Sequence, residues 1–538
     1  MAWLERESRE VTQLIWQSAT ELARRIAARE VSSLEVVNAH IDRIEAVNAR
    51  LNAVVIPLFD EARTAATKAD EALARGDAIG PLHGVPTTIK ECYHLAGTVS
   101  CIGVDRFAKD VIPEDGPLVR RLRRAGAIIL GKTNVPQTML LHETDSPIYG
   151  RTSNPWNLAR SAGGSSGGEA AIIAAGGSPL GLANDLGGSI RQPAHVCGVV
   201  GLKPTTGRFT NKGCRSNLSG LRLIATNSGA IARHTVDLHL MMRVLDPRNP
   251  GEERFEDELD QPIRDPAAID VTKLRIGVLD DDGFFRPSPA VRRAVHEAAA
   301  ALRGMGVDCV EFKPPDLSGA MGLYFGLIGA DGARALGQVM EGSRVDSRIE
   351  RLMQIGRIEP PFRKIFAALA SVFGQPHAAL LLRATGRKTP EQMERMRQEM
   401  ERYVRTFNAT LEAAQIDALI CPPYALPAPQ HGATLNLPPA GSYCYIANLL
   451  GIPAGVVPCT RVHAKEESDR RVGLDLVERA ARHVERGSAG LPVGVQVLAR
   501  QWREDIVLAV MAALEREFQG KEDFPGRPPD ERQICSKV

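Results

Sequence analysis

The chain has 538 residues, of which 44% are hydrophobic and 24% charged, a composition typical of globular proteins and not of disordered ones. Its 66 basic and 64 acidic residues leave a formal net charge of +2, which is too small to predict nucleic acid as a partner. Nine scattered cysteines without a C-x-x-C pair, and a charged start (MAWLERESRE) without a signal peptide, predict a reduced, cytoplasmic protein with no zinc site.

Residues 1–60 are predicted to form helices that pack against a larger unit. Ser18 and Ser32 each stand three residues before a glutamate, which is the spacing of a capping box at a helix start. Apolar residues then recur at intervals of three and four as far as Ile44, as on the buried face of a helix. From Pro81 onward, short apolar runs alternate with helical stretches, which predicts a mixed α/β core with buried strands.

The middle of the chain is predicted to hold an insertion in one large domain spanning residues 61–538. The segment GEERFEDELDQPIRDP, from Gly251, is charged and aperiodic, so we expect an exposed connection. Residues 320–400 are predicted to form a helical cap, in which the apolar residues of segment 362–373 recur at helical spacing. Two interpretations of that segment are open: an amphipathic helix packed on the core, or an apolar surface that contacts lipid peripherally.

Two glycine-rich motifs match catalytic patterns but lack the expected context. GAIILGKT, from Gly126 to Thr133, fits a phosphate-binding loop, yet its middle residues are themselves a strand pattern and Pro136 disfavours a following helix. GGSSGG, from Gly163, fits the nucleophile elbow of α/β-hydrolases, which requires a strand running straight into the first glycine. The preceding NPWNLARSA has a turn signal and no apolar strand pattern, so an elbow is not expected there.

Ser189, in the run LANDLGGSIR, is a candidate nucleophile. Glycines permit a tight turn without Cβ atoms in the way, so consecutive backbone N–H groups here can converge on one point as an oxyanion hole. The four predicted donors are Leu186, Gly187, Gly188 and Ser189.

Lys90 is the better candidate for the base, because the nearest histidines, His142 and His195, lack the spacing of a triad. Lys90 ends the apolar run GVPTTIK, and burial favours the neutral form of a lysine, which can accept a proton. The alternative is a lysine that simply reaches water at a strand end. The order of Lys90, the GGSSGG block and the Gly-Gly-Ser block favours catalysis.

These residues resemble the amidase signature family of serine hydrolases. Lys90, GGSSGG and GGSIRQPAHVCGVVGLKPT carry the resemblance over about residues 80–210, and GLPVGVQVLA near the end matches more weakly. Within the family, GVPTTIKEC and TNVPQTML are most similar to the fatty acid amide hydrolases. The resemblance implies an α/β amidase signature fold, in which a large mixed β-sheet core is surrounded by α-helices in a single large domain.

The resemblance also implies a Ser-Ser-Lys triad. Ser189 would be the nucleophile, Ser165, after a cis peptide bond, the bridging hydroxyl, and Lys90 the terminal base. Three residues would support them: Ser166, Asp185 and Arg191. It is equally open that Asp185 and Arg191 form only a local ion pair with no catalytic part. Three more would line the acyl channel: Met139, Leu140 and His142. The chemistry needs no cofactor and no metal.

The predicted function is hydrolysis of fatty acid or other apolar N-acyl amides to free acid and amine through an acyl-enzyme. One alternative is a glutamine-hydrolysing component of an amidotransferase, which the apolar segment 362–373 disfavours. An esterase or carbamate hydrolase on the same site is another. A binding protein that lost catalysis is disfavoured by the presence of Lys90, Ser165 and Ser189 together. Expected partners are a small-molecule amide, a peripheral membrane contact through 362–373 and a second copy in a homodimer.

Overall fold

The structure, a computed structural model, describes residues 13–216, 223–471 and 473–529. The charged start, for which no signal peptide is predicted, lies outside these ranges. The α-helices are α1 Ala19–Ala27, α2 Ser33–Leu51, α3 Phe59–Arg75, α4 Pro117–Arg124, α5 Gly167–Ala174, α6 Arg191–Cys197, α7 Thr235–Val244, α8 Pro289–Gly304, α9 Leu317–Ile328, α10 Arg334–Met340, α11 Ser347–Arg357, α12 Pro360–Val372, α13 Pro376–Ala384, α14 Pro390–Ala413, α15 Ser442–Leu450, α16 Leu476–Glu485 and α17 Glu504–Phe518.

The strands form one large sheet and two short hairpins. They are β1 Val54–Pro57, β2 Pro86–Lys90, β3 Ile128–Thr133, β4 Asp145–Ser146, β5 Gly150–Arg151, β6 Ser153–Asn154, β7 Asn157–Ser161, β8 Leu180–Asp185, β9 Val200–Lys203, β10 Asn227–Ala232, β11 Arg275–Val278, β12 Asp308–Glu311, β13 Ala418–Cys421, β14 Ala454–Arg461 and β15 Pro492–Ala499. Among the described residues, eleven of them pair in the order β1-β3-β2-β8-β10-β9-β14-β15-β13-β11-β12. Parallel and antiparallel pairs both occur, so the predicted mixed sheet surrounded by helices is confirmed.

The centre of the sheet positions the chemistry. Strands β2 and β8 are parallel neighbours, so their carboxyl ends, at Lys90 and Asp185, lie on the same edge of the sheet. All residues of both strands are buried, as expected for strands covered by helices on both faces. Helix α5 packs so close to β8 that a Cβ at Gly181 would overlap the carboxylate of Glu169.

The amino-terminal helices behave as the sequence predicts. Ser32 forms a complete capping box with Glu35, whereas the Ser18 side chain accepts from the backbone N–H of Glu21 without the reciprocal bond. The apolar face of α2, which includes Ile44, is buried in the same core as the central strands. The division of the chain at residue 60 stays a prediction.

The two misleading motifs lie in different surroundings. Three of the four middle residues of the phosphate-loop pattern, Ile128 to Leu130, lie inside strand β3, as predicted, and the strand continues through Thr133. The Lys132 ammonium donates to the hydroxyl of Ser100 at 2.8 Å. Before GGSSGG, however, the structure has a strand, β7, that the sequence pattern does not indicate. Its first three residues are exposed, so they carry no apolar signal. It pairs with β6 outside the large sheet and forms an isolated bridge from Arg160 to Gln430.

The predicted exposed connection after Gly251 contains a buried residue, Glu258, that anchors it to the core. Glu258 is buried and accepts from the guanidinium of Arg121 at 2.6 Å. Both side chains are almost completely removed from solvent, so this ion pair ties the connection to helix α4. Charge in the segment therefore does not mean that all of it faces water.

The cap residues 317–413 contain six consecutive helices, α9 to α14. Helix α12 turns its apolar residues outward, and the interpretation that this face packs on the core is wrong. The exposed side chains are Phe362, Ile365, Phe366, Leu369, Val372 and Phe373. The buried residues of α12 are Arg363 and Ala367. The Arg363 guanidinium donates inward to the hydroxyl of Thr385 at 2.7 Å. Across the described ranges, no helix combines the length and apolar character needed to span a bilayer.

Candidate active site

Lys90 is completely buried at the end of strand β2, as the sequence predicts. Its Nζ atom lies 2.8 Å from the hydroxyl oxygen of Ser165 and 2.7 Å from Oδ1 of Asn184. Burial lowers the pKa of this lysine, although the nearby thiols of Cys92 and Cys214 act in the opposite direction. The environment therefore favours a neutral amine that can accept a proton through Ser165.

The GGSSGG segment holds Ser165 in place next to the loop that carries Ser189. The peptide bond between Gly164 and Ser165 is cis. A Cβ at Gly164 would lie 2.5 Å from the Leu141 carbonyl oxygen, so only glycine fits. The N–H of Ser166 donates to the carbonyl oxygen of Ser189 at 3.1 Å, which joins the two glycine-rich segments directly.

Ser165 and Ser189 line the same cavity, whose volume is about 200 Å³. Met139, Leu140 and Leu186 also line it and give it an apolar part, while polar residues such as Asn184 and Asn211 line the rest. The cavity brings together the predicted nucleophile, the predicted bridging serine and two of the three predicted acyl-channel residues.

His142, the third predicted acyl-channel residue, contacts the loop that carries Ser189. Its Nε2 is 2.8 Å from the carbonyl oxygen of Gly187, and its ring stacks on Tyr445 with centroids 5.8 Å apart. Burial lowers the pKa of His142, which favours the neutral ring. Its contacts are those of a residue that supports the loop, and it is not among the residues that line the cavity.

The predicted oxyanion donors differ in their availability. The N–H of Gly188, a residue at φ +101°, donates to Oδ1 of Asp185 at 2.7 Å. The N–H groups of Leu186, Gly187 and Ser189 have no protein acceptor among the described residues. Three of the four predicted donors are therefore unengaged among the described residues, while the Gly188 N–H holds the turn.

Asp185 and Arg191 form an ion pair with no exposure to solvent, at 2.9 Å. Burial alone would raise the pKa of Asp185, but the Arg191 guanidinium and the N–H groups of Gly188 and Ile190 hold it well below its usual range. Arg191 also donates to the side chain of Gln496 at 2.7 Å. The pair therefore fixes the loop between β8 and α6 against strand β15.

Comparison with known proteins assigns this site to a family. The family model described as Amidase matches residues 35–508. The chain belongs to the amidase signature family.

Two curated relatives of this amidase differ in their stated activities. The chain is 32% identical over 522 residues to fatty-acid amide hydrolase 1 of Sus scrofa, covering 95% of this chain and 86% of that protein. It is 33% identical over 557 residues to a glutamyl-tRNA(Gln) amidotransferase component of Acidothermus cellulolyticus, covering 96% of this chain and 98% of the relative. Among solved structures, a fatty acid amide hydrolase superposes with a TM-score of 0.82 at 27% identity, covering 95% of this chain and 87% of that one. The protein is an amide hydrolase, and its substrate is a separate question.

Two residues of the amidase site are not predicted from the sequence. Asn184 binds Lys90, and its only sequence signal is a polar residue at the end of an apolar strand. Tyr324, on cap helix α9, donates to the carbonyl oxygen of Leu186 at 3.2 Å. A Cβ at Gly187 would overlap the Tyr324 hydroxyl, so the cap directly contacts the loop that carries Ser189. No local pattern links positions so far apart in the chain.

Replacing Asp185 with asparagine is expected to lower the free energy of unfolding by about 3 to 5 kcal/mol, because it leaves the buried Arg191 charge without a counterion. Urea unfolding measures the change. The matched control is Asp308→Asn, which removes an exposed partner of Arg275 and should cost less than about 1 kcal/mol. Equal losses in the two variants would contradict the role assigned to the buried pair.

Proposed function

We propose that this amidase hydrolyses apolar N-acyl amides, with fatty acid amides as the leading class, through an acyl-enzyme on Ser189. The observation that carries the proposal is the hydrogen bond from buried Lys90 to Ser165 beside a cavity that Ser189 also lines. Lysine, serine and serine in this order provide a base, a proton relay and a nucleophile.

In the proposed mechanism, neutral Lys90 removes a proton through Ser165 as the Ser189 oxygen attacks the amide carbonyl carbon. The free N–H groups of Leu186, Gly187 and Ser189 stabilise the oxyanion of the tetrahedral intermediate. Protonated Lys90 then returns the proton through Ser165 to the leaving nitrogen, which allows the C–N bond to break. Water, activated by the same relay, attacks the acyl-enzyme and releases the acid.

The apolar side of the cavity supports an alkyl acyl group. Met139, Leu140 and Leu186 lie beside the two serines, and no charged side chain is among these three. Arg215 also lines the cavity, where its guanidinium is partly engaged by Asp110 at 3.4 Å and by the ring of Phe107 at 4.2 Å. An arginine could bind the carboxylate of glutamine, so a glutamine-hydrolysing activity is the second candidate. An ester or carbamate substrate would use the same groups.

A substrate series tests the proposal. We expect kcat/KM for primary acyl amides to rise with acyl length, by up to about fourfold for each methylene that becomes buried. Glutamine and the matching ethyl esters serve as comparison substrates at equal concentrations of titrated active sites. A kcat/KM that is highest for glutamine and flat across the acyl series would overturn the substrate class while leaving the nucleophile assignment intact.

We also propose that the apolar face of α12 contacts lipid surfaces peripherally. Next to it, a cavity of about 1600 Å³ is lined by cationic side chains that include Arg357, Lys364 and Lys388. Exposed apolar side chains beside cations are complementary to an anionic lipid surface.

Flotation with phosphatidylserine-containing vesicles tests this contact. Leu369→Glu should reduce the bound fraction, whereas Val111→Glu, at an exposed valine far along the chain from the cap, should not. A wild-type protein that stays wholly unbound would contradict the proposed lipid contact.

The eight cysteines of the described chain are all free, which supports our proposal that the protein works in the reducing cytoplasm.

A further inference from the structure

Two thiols lie side by side next to the proposed base. Cys92 follows Lys90 by two residues, and Cys214 lies opposite Tyr93 in an antiparallel bridge. The N–H of Arg215 donates to the carbonyl oxygen of Cys92 at 2.8 Å, which fixes the two backbone segments against each other. Both sulfurs contact the same side-chain amide nitrogen, that of Asn184.

One side chain connects this thiol pair to the catalytic machinery. Nδ2 of Asn184 lies 3.3 Å from the sulfur of Cys92 and 3.2 Å from the sulfur of Cys214. The other end of the same amide, Oδ1, accepts from Nζ of Lys90 at 2.7 Å. Any change in the position of the two sulfurs therefore acts on the group that holds Lys90.

The two cysteines differ in access and in acidity. Cys214 is partly exposed and lines the cavity that contains Ser165 and Ser189, so a small molecule that enters the cavity can reach it. Cys92 is buried. The Cys92 side chain lowers the pKa of Cys214, with a further contribution from Lys90, whereas burial raises the pKa of Cys92. Because Cys214 is also the thiol that the cavity reaches, it is the more reactive of the two, and Cys92 is a protonated neighbour.

We propose that Cys92 and Cys214 form an oxidation site, specific for peroxide-class oxidants, that closes to a disulfide and switches the amidase off. The Cys214 thiolate sulfur attacks one peroxide oxygen, the O–O bond breaks and hydroxide leaves, so that sulfur is oxidised to sulfenic acid and peroxide is reduced. The Cys92 sulfur then attacks the Cys214 sulfur, an S–S bond forms, and the S–O bond breaks. The leaving hydroxyl takes the Cys92 proton and departs as water.

Disulfide formation changes the surroundings of Lys90. Closure brings the two sulfurs to about 2.05 Å from each other, which draws them away from the Asn184 amide. The amide that holds Lys90 then loses its fixed orientation. The loss of activity rests on the proposed role of Lys90, whereas the disulfide itself does not.

Hydrogen peroxide treatment of the purified full chain tests the site. Peptide mapping after alkylation should show a linked peptide that joins Cys92 to Cys214. The rate at which a fluorophosphonate labels Ser189 should fall by at least about tenfold and recover with dithiothreitol. This readout needs no substrate, so a wrong substrate class would not affect it.

Three variants separate the steps, each compared with its own untreated sample. Cys92→Ser should leave sulfenic acid on Cys214 that dimedone traps, with no linked peptide. Cys214→Ser should keep its labelling rate in peroxide. Cys309→Ser, at a partly exposed cysteine on edge strand β12, should behave as the wild type.

Two results would overturn the proposal. One is folded, peroxide-treated wild type in which Cys92 and Cys214 stay reduced while Cys309 is oxidised. The other is a Cys92–Cys214 disulfide that leaves the labelling rate of Ser189 unchanged, which would remove the coupling to Lys90.

Discussion

Replacing Ser189 with alanine is expected to lower kcat for amide hydrolysis by about a millionfold, because no other hydroxyl in the cavity combines the relay with free oxyanion donors. Ser189 lines the cavity with Ser165, and its own N–H is one of the three without a protein acceptor among the described residues. The fold should survive, since the change removes one oxygen atom from a cavity wall. Steady-state kinetics with a chromogenic amide, together with fluorophosphonate labelling, measure the loss.

Ser166→Ala is the matched control for this substitution. Ser166 is adjacent to the relay serine, but its hydroxyl donates only weakly to the Asn184 carbonyl oxygen, at 3.4 Å, so the loss should be far smaller. Mass spectrometry should place the fluorophosphonate adduct on Ser189. An adduct on Ser165 or Ser166 that persists in Ser189→Ala would show that Ser189 is the wrong nucleophile.

Replacing Lys90 with methionine is expected to lower kcat/KM by about a hundredfold to ten-thousandfold, the usual contribution of a general acid and base. Methionine keeps much of the buried stem volume and removes the amine that binds Ser165. In the wild type, kcat/KM should rise with pH as Lys90 loses its proton, because only the neutral amine accepts a proton. Burial places that rise below the ordinary lysine pKa of 10.5.

The pH profile distinguishes catalysis from a structural effect. Lys90→Met should lose the rise, whereas Lys132→Met should keep it, because Lys132 is a buried lysine in the neighbouring strand β3 that donates to Ser100. Circular dichroism and urea unfolding of both variants check that each is folded at the pH values used. An unchanged ionisation in Lys90→Met would assign the base to another group.

The grouping of Lys90, Ser165 and Ser189 in one candidate site was predictable because its signals are local. Lys90 ends an apolar strand, and Ser189 follows two glycines at the end of another, so each residue carries its own context. The mixed sheet was predictable for the same reason, since its buried strands appear as short apolar runs. Residues that act across long sequence separations left no such signal, as Tyr324 and Asn184 show.

Surface assignments depended on the packing of whole elements. The spacing of apolar residues in α12 is the same whether its apolar face is buried or exposed. The structure shows that Arg363 points inward, so the apolar face is exposed. Strand β7 was missed because a hairpin outside the main sheet has no buried alternating face. The engagement of the Gly188 N–H by Asp185 depends on a turn geometry that glycine permits but does not dictate.

The position of strand β15 has a consequence for biosynthesis. Residues 492–499 are made after every other strand of the described large sheet, yet β15 lies between β14 and β13 in the interior of that sheet. Strands β11, β12 and β13 connect to the rest of the large sheet only through it. A nascent chain can therefore pair β2 with β8 while still on the ribosome, but its two sheet fragments join only after residue 499 has emerged. Ribosomes stalled before residue 492 should carry chains whose sheet is still in two pieces.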